Sequence, residues 1–210
     1  QVTWSRTPLR LGLAGGGTDL WEFASKEGGR VINATINRFV HVRISESNNG
    51  GVSFISYDTD ESSTLDNSES EGNMPIFRNS LLRILDISNT NAAPPMTIES
   101  FSDSPVGSGL GTSSSLCVGI LKALSVWFDV DLRKRTLAEL AYEIERKDCG
   151  FSGGMQDQYA ASYGGINDMS FLPDGSVNVS SVKAPRWFLN QLEASIILYF
   201  SGISRESSRI

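Results

Sequence analysis

The sequence predicts an α+β fold. Strand-like and helix-like segments are mixed along the 210 residues without the regular strand–helix–strand alternation that a doubly wound parallel sheet requires. Strand-like segments open the chain and return near its end, while most helix-period segments lie between Ile76 and Tyr163. The 40% apolar fraction is that of a globular chain, and at this length about 70% of the extended surface is buried on folding, so a core forms without staples.

Val2 to Leu13 alternates loosely and ends in glycines, as a strand does. Gly15-Gly16-Gly17-Thr18-Asp19 is a tight loop. Thr18 or Asp19 is placed to cap a helix through Leu20, Phe23 and Ala24 that closes at Gly28-Gly29. Arg30–Ile36 and Phe39–Ser45 are β-rich and expected to pair with each other, and Gly51–Tyr57 is a further strand. Asp58–Asn73 is rich in Ser, Asp and Glu and predicts an exposed, partly disordered insertion. Ile76–Ile87 has helical spacing, Pro94-Pro95 ends that region, and Met96–Phe101 is a short strand. A glycine loop leads into a helix over Thr112–Phe128. Leu137–Lys147 is a second helix, with Leu137, Leu140, Ala141 and Ile144 on one face. Met155–Tyr163 is a third helix, Ile166–Leu172 and Val177–Val182 form a hairpin around Pro173-Asp174-Gly175, and Ala194–Ser201 is an apolar strand.

The net charge of −6 and the absence of a basic run longer than Arg133-Lys134-Arg135 exclude the electrostatic footprint of a nucleic-acid binder. No apolar stretch is long enough to span a membrane. Two cysteines and one histidine, His41, give neither a disulfide framework nor a zinc pattern. Cys117 falls in an apolar run and reads as a small core residue. No signal peptide is evident at the N-terminus, so a reducing cytoplasm is expected.

Four stretches carry chemistry. The first is SPVGSGLGTSSS, from Ser104 to Ser115. Gly107, Gly109 and Gly111 allow close backbone approach to a ligand, and a helix then begins whose first N–H groups have no internal partner. Those groups and the helix dipole make an anion site, to which Thr112, Ser113 and Ser114 add hydroxyls. The lysine of a Walker loop is missing and the glycine spacing departs from a dinucleotide fingerprint. A plain Ser-rich loop gives the same composition. The second is TPLRLGLAGGGTD, Thr7–Asp19, which brings Arg10 and Asp19 to a glycine turn; a surface arginine and a helix cap explain them equally well. The third is GFSGGMQDQYAASYGG, Gly150–Gly165, where Asp157 stands in a first helical turn, as a proton acceptor or as a plain helix-start acid. The fourth is YEIER, Tyr142–Arg146, which puts Glu143 and Glu145 on different faces, one solvated and one free to reach Mg²⁺.

Taken in this order, the motifs resemble the GHMP kinases, and in GGGTD and GGMQDQYAASYGG the branch of D-glycero-D-manno-heptose 7-phosphate kinases and fucokinase domains. The resemblance covers nearly the whole chain. It implies a two-layer α+β fold, with an ATP-binding N-terminal domain over residues 1–185. Residues 186–210 would begin a C-terminal ferredoxin-like domain that is largely missing, as in a truncated chain, and the exposed surface between the two would favour a homodimer. It implies transfer of the ATP γ-phosphate to the anomeric hydroxyl of a heptose 7-phosphate. Asp157 would be the base, and Arg10 would steady it or the moving phosphoryl group. Ser113 and Glu145 would hold Mg²⁺. Pro105, Gly107, Ser108, Gly109, Leu110, Gly111, Thr112, Ser113 and Ser114 would wrap the nucleotide. Gly15, Gly16, Gly17, Thr18 and Asp19 would hold the sugar. Galactokinases carry Glu and His where Gly16 and Gly17 stand, so a larger sugar is expected. The 7-phosphate needs a further cation, for which Arg38, Arg43, Lys183, Arg186 and Arg205 are candidates. A fucokinase or other sugar 1-kinase, a regulatory or non-catalytic nucleotide-binding remnant, and a chaperone-like or translational domain of the same fold remain as alternatives.

Overall fold

The computed structural model describes residues 1–48, 50–65, 74–200 and 202. The longest element is a single strand, β2 (Gly29–Glu46), of 18 residues. The sequence suggests two strands pairing across this stretch, and the structure corrects that. Asn37-Arg38 offers no Gly or Pro to turn the chain, so it runs straight through and each half finds its own partner. Along one edge lies β1 (Val2–Ala14), antiparallel, with register irregularities between Pro8 and Arg10 and between Gly12 and Ala14. Along the other edge, the first half of β2 pairs with β6 (Ile166–Phe171) and the second half with β5 (Met96–Ser102). Residues 35–39 lie between these two ladders, where the edge of β2 forks.

The sheet continues from β5 to β3 (Val52–Ser56), which run parallel, then to β4 (Glu61–Thr64). It continues from β6 to β7 (Val177–Ser181) through the expected hairpin. The strand β4 lies inside the predicted insertion; residues 66–73 of that insertion are outside the described residues.

Helices α2 (Pro75–Ile87), α3 (Thr112–Trp127), α4 (Lys134–Glu143) and α5 (Gln156–Tyr163) pack over the sheet. Helix α3 is central and largely apolar, and Cys117, Ile120, Leu121 and Leu124 are fully buried in the main core with Val42, Ile44 and Ile98. Gly119 lets α3 approach the sheet: a Cβ there would lie 3.0 Å from Thr7 Oγ1 and 3.2 Å from Val42 Cγ2. A second, smaller core gathers Ala24, Val31, Tyr159, Met169 and Phe171.

Helix α1 (Trp21–Glu27) starts without a side-chain cap, so neither Thr18 nor Asp19 does what the sequence suggests. Both side chains have other partners, described below. Helix α4 passes directly into a π-helical turn, Ile144–Asp148, shortening the predicted Leu137–Lys147 helix. The apolar run Ala194–Ser201 is not a strand among the described residues. Its start closes a helix the sequence did not suggest, α6 (Arg186–Ser195), in which no residue is buried, and 196–200 pair with no strand. An apolar run becomes a strand only where an edge is present to receive it, and here Ile197 and Tyr199 stand 90% and 84% exposed. No helix among the described residues is long and apolar enough to cross a membrane.

Candidate active site

The glycine loop leaves β5 beside the fork in β2, where Asp103 N donates to Phe39 O. Gly107, Gly109 and Gly111 all take left-handed backbone, with φ of 75°, 75° and 76°. Leu110 anchors the loop in the main core at 6% exposure. Gly111 precedes α3 and no side chain caps that helix, so its first N–H groups point unpaired out of the loop. Ser108 Oγ and Thr112 Oγ1 are buried atoms without partners among the described residues. Unpaired backbone donors, a helix dipole and two orphaned hydroxyls together suit an anion. A groove of ≈ 240 Å³ flanks the loop, lined by Arg38, Asp103, Ser108, Leu110, Leu198 and Tyr199 among others.

Arg10 binds this loop to α5. Its backbone N–H donates to Leu110 O at 3.0 Å and its Nη1 to Gly109 O at 2.9 Å. Its Nε donates to Asp157 Oδ1 at 2.6 Å, with both side chains about four-fifths buried. That leaves Asp157 Oδ2 without a protein hydrogen bond among the described residues. A Cβ at Gly111 would lie 3.3 Å from Asp157 Oδ2, so the carboxylate sits against the last glycine of the loop.

The second carboxylate comes from the π-helical turn. Glu145 is 1% exposed. Its Oε1 accepts from Ser113 Oγ at 2.7 Å; its Oε2 accepts from Ser114 Oγ at 2.7 Å and from Gln158 Nε2 at 2.5 Å. No Lys, Arg or His pairs with it among the described residues. Glu143 instead faces solvent, bonded to Lys147 at 2.8 Å and near Arg83 at 3.9 Å, so the two acids divide as the helical spacing suggests. Arg83 also chelates Asp148 at 2.7 and 2.8 Å, tying α2 to the turn.

The glycine turn at Gly15–Asp19 is held differently. Gly15 has φ of 77°, and a Cβ there would overlap Arg30 O at 1.9 Å. Thr18 Oγ1 donates to Gly15 O at 2.8 Å and accepts from Arg30 N at 3.1 Å. Asp19 is 2% exposed, its Oδ2 accepting from Gln156 N and its Oδ1 from Gln156 Nε2, both at 3.0 Å. Asp19 therefore anchors the start of α5, one residue ahead of Asp157. Gly16 and Gly17 are open: a Cβ on either would meet nothing within 4 Å.

Residues 78–165, which include this loop and both acids, match the family model for the GHMP kinases N terminal domain. That part of the chain is similar to a GHMP kinase N-terminal domain. The chain is 41% identical over 209 residues to a D-glycero-alpha-D-manno-heptose 7-phosphate kinase of Campylobacter jejuni, covering 98% of this chain and 61% of that protein. The crystal structure of a D-glycero-D-manno-heptose 1-phosphate kinase from Bacteroides thetaiotaomicron superposes with a TM-score of 0.86 at 41% identity, over 93% of this chain and 64% of that one. Lactococcus lactis galactokinase shares the fold, with a TM-score of 0.69 at 18% identity over 88% of this chain and 48% of that one. The chain thus spans somewhat under two thirds of the length of its heptose kinase relatives.

Within this matched stretch the donor set fits a hard divalent cation. Glu145 offers a buried carboxylate with no cationic partner, and Ser113, which remains exposed, offers a hydroxyl oxygen 2.7 Å away. Ser114 is buried and turned toward Glu145, so its backbone rather than its hydroxyl faces the loop. Of the cations considered for a second phosphate, Arg43 is engaged with Glu99 on the open face of the sheet. Arg38 lines the groove beside the loop, and Lys183 and Arg186 are exposed near the start of α6. Arg205 is outside the described residues. Sequence reasoning missed Gln156, Gln158 and Arg146. Two glutamines flanking an acid in a first helical turn were the available signal, since buried amides need partners.

Proposed function

We propose that the chain supplies the nucleotide-binding and catalytic part of an ATP-dependent sugar kinase acting on the anomeric hydroxyl of a D-glycero-D-manno-heptose 7-phosphate. The observation that carries this reading is that one helix N-terminus is flanked by two carboxylates in different surroundings. Asp157 is held by Arg10 against Gly111, and Glu145 is joined to Ser113. The glycine loop and the first N–H groups of α3 would hold the β- and γ-phosphates, and the adjoining groove would take the base. Glu145 and Ser113 would hold Mg²⁺, which when bound neutralises phosphate charge.

The free Oδ2 of Asp157 takes the proton of the anomeric hydroxyl. The sugar oxygen then bonds to the γ-phosphorus as the bond from that phosphorus to the bridging oxygen breaks, and ADP leaves with that electron pair. Arg10 keeps Asp157 aimed throughout, and phosphoryl transfer needs little beyond such positioning and charge stabilisation. Open Gly16 and Gly17 leave room for a seven-carbon sugar. We further infer that residues 1–185 are the ATP-binding domain, since neither helix α6 nor residues 196–200 bury any side chain against it. The use of ATP, two free cysteines and an acidic surface fit a cytoplasmic enzyme.

The test is turnover of Mg·ATP with heptose 7-phosphate, L-fucose and D-galactose, read as ADP release and as an anomeric phosphate signal in ³¹P NMR. Heptose 7-phosphate is expected to be preferred. Faster turnover of fucose would move the assignment to a sugar 1-kinase. Tight Mg·ATP binding with no turnover of any sugar would make the chain a nucleotide-binding domain without catalysis.

A further inference from the structure

Arg146 follows Glu145 in the π-helical turn, yet it makes no ion pair with any carboxylate among the described residues. Its guanidinium is instead spent on main-chain oxygens of the loop that leads into α5. Nη1 donates to Phe151 O at 3.3 Å and Ser152 O at 3.2 Å, and Nη2 donates to Gly154 O at 3.0 Å. The plane lies over the Tyr142 ring, 5.7 Å from its centroid. The loop is shaped to this arrangement. Gly153 has φ of 144°, and a Cβ there would lie 2.7 Å from Nη2. Gly154 is pressed from the other side, where a Cβ would lie 1.9 Å from Asp19 Oδ2. Immediately afterwards Asp19 takes the N–H and side-chain amide of Gln156, and the next residue is Asp157.

We propose that Arg146 is a positioning residue for Asp157. It clamps residues 151–154 against Asp19, so that α5 presents the carboxylate to Arg10 and Gly111. The proposal rests on the reading of Asp157 as the proton acceptor. The π-helical geometry explains how neighbouring residues serve two sites. The widened turn sends Glu145 inward to Ser113, Ser114 and Gln158, and sends Arg146 across to the loop, while Phe151 N closes back on Glu145 O at 2.8 Å. The acid suited to the metal and the loop that delivers the base therefore share one turn. Three carbonyls at separate positions call for a planar fork of donors, which an ammonium does not reproduce.

The test compares Arg146→Lys, Arg146→Ala and Gly153→Ala with the unaltered chain. Expected for all three is a fall in kcat of about 10- to 100-fold, since a misplacement on the order of 1 Å costs that much. KM for Mg·ATP should stay within about twofold, because the glycine loop and Glu145 are untouched. Amide exchange in residues 150–156 should quicken while that of α3 does not change. The Arg146→Ala/Gly153→Ala double variant should be no slower than the worse single one, as expected when both act through one contact. Unchanged kcat, a matching rise in KM for Mg·ATP, or additive losses would overturn the assignment, as would exchange that quickens across the whole fold. Gly153→Ala keeps the test open if the arginine variants fail to fold. If the unaltered chain phosphorylates no sugar, the functional reading falls. The exchange comparison then still decides the clamp: local quickening at 150–156 supports it and none overturns it.

Discussion

Asp157 and Glu145 flank the same helix end but are equipped for different work. Asp157 is partly exposed, has a guanidinium on one oxygen and leaves the other free. Glu145 is almost fully buried and receives three neutral donors but no cation. A buried carboxylate without a cation is costly unless a positive charge arrives, whereas a carboxylate already paired on one side is ready to accept a proton on the other. On the proposed function, the difference between a metal ligand and a base is set by which neighbours each acid keeps.

The strongest way to break this division is to remove the charge of Asp157. Asp157→Asn should reduce kcat by about 10²- to 10⁴-fold, the usual contribution of a positioned base, with Mg·ATP affinity by calorimetry within about twofold. Next is Glu145→Gln, which should raise the Mg²⁺ concentration for half-maximal ATP binding by about 10- to 100-fold while leaving the Asp157–Arg10 pair intact. The two serines sharpen the comparison further. Ser113→Ala should raise the Mg²⁺ requirement several-fold with the melting temperature unchanged. Ser114→Ala, which removes one of the two donors to the buried Glu145 Oε2, should cost about 1–3 kcal/mol in urea unfolding with little effect on Mg²⁺. The smallest functional effect is expected away from both acids. Gly119→Ala pushes α3 off Thr7 and Val42, so stability should drop by about 1–3 kcal/mol while KM and kcat of the folded fraction do not change.

Much of this was legible because it is local. Left-handed glycines before a Ser/Thr-rich helix start, helical spacing in YEIER, and alternation in β1, β5 and the β6–β7 hairpin are all written within short windows. What was not legible depends on partners far along the chain. The continuity of β2 is decided by β5 and β6, at least 50 and 130 residues away in the chain. Thr18 and Asp19 have the composition of helix caps, but Arg30 and Gln156 compete for them and win. The 194–201 run has the β-propensity of a strand, yet propensity does not supply an edge. The π-helical turn leaves no trace in hydrophobic period, and with it Arg146 was missed.

The fork in β2 has a consequence for how the site comes apart. The glycine loop departs beside one prong, where Asp103 bonds to Phe39, and α5 returns beside the other, where Thr35 N donates to Gly165 O. One prong is held by the β2–β5 ladder and the main core; the other is held by the β2–β6 ladder, the smaller core and the Arg30–Asp168 pair at the surface. The prongs differ in what holds them, although β1 runs antiparallel along both and α3 packs on α5. Fraying that starts at the β6 prong would withdraw Asp157 before it reached the glycine loop. On the proposed function, loss of catalysis on warming would then precede loss of nucleotide affinity, with β2 acting as a ruler that keeps the two sides of the site in register only while both prongs stay zipped.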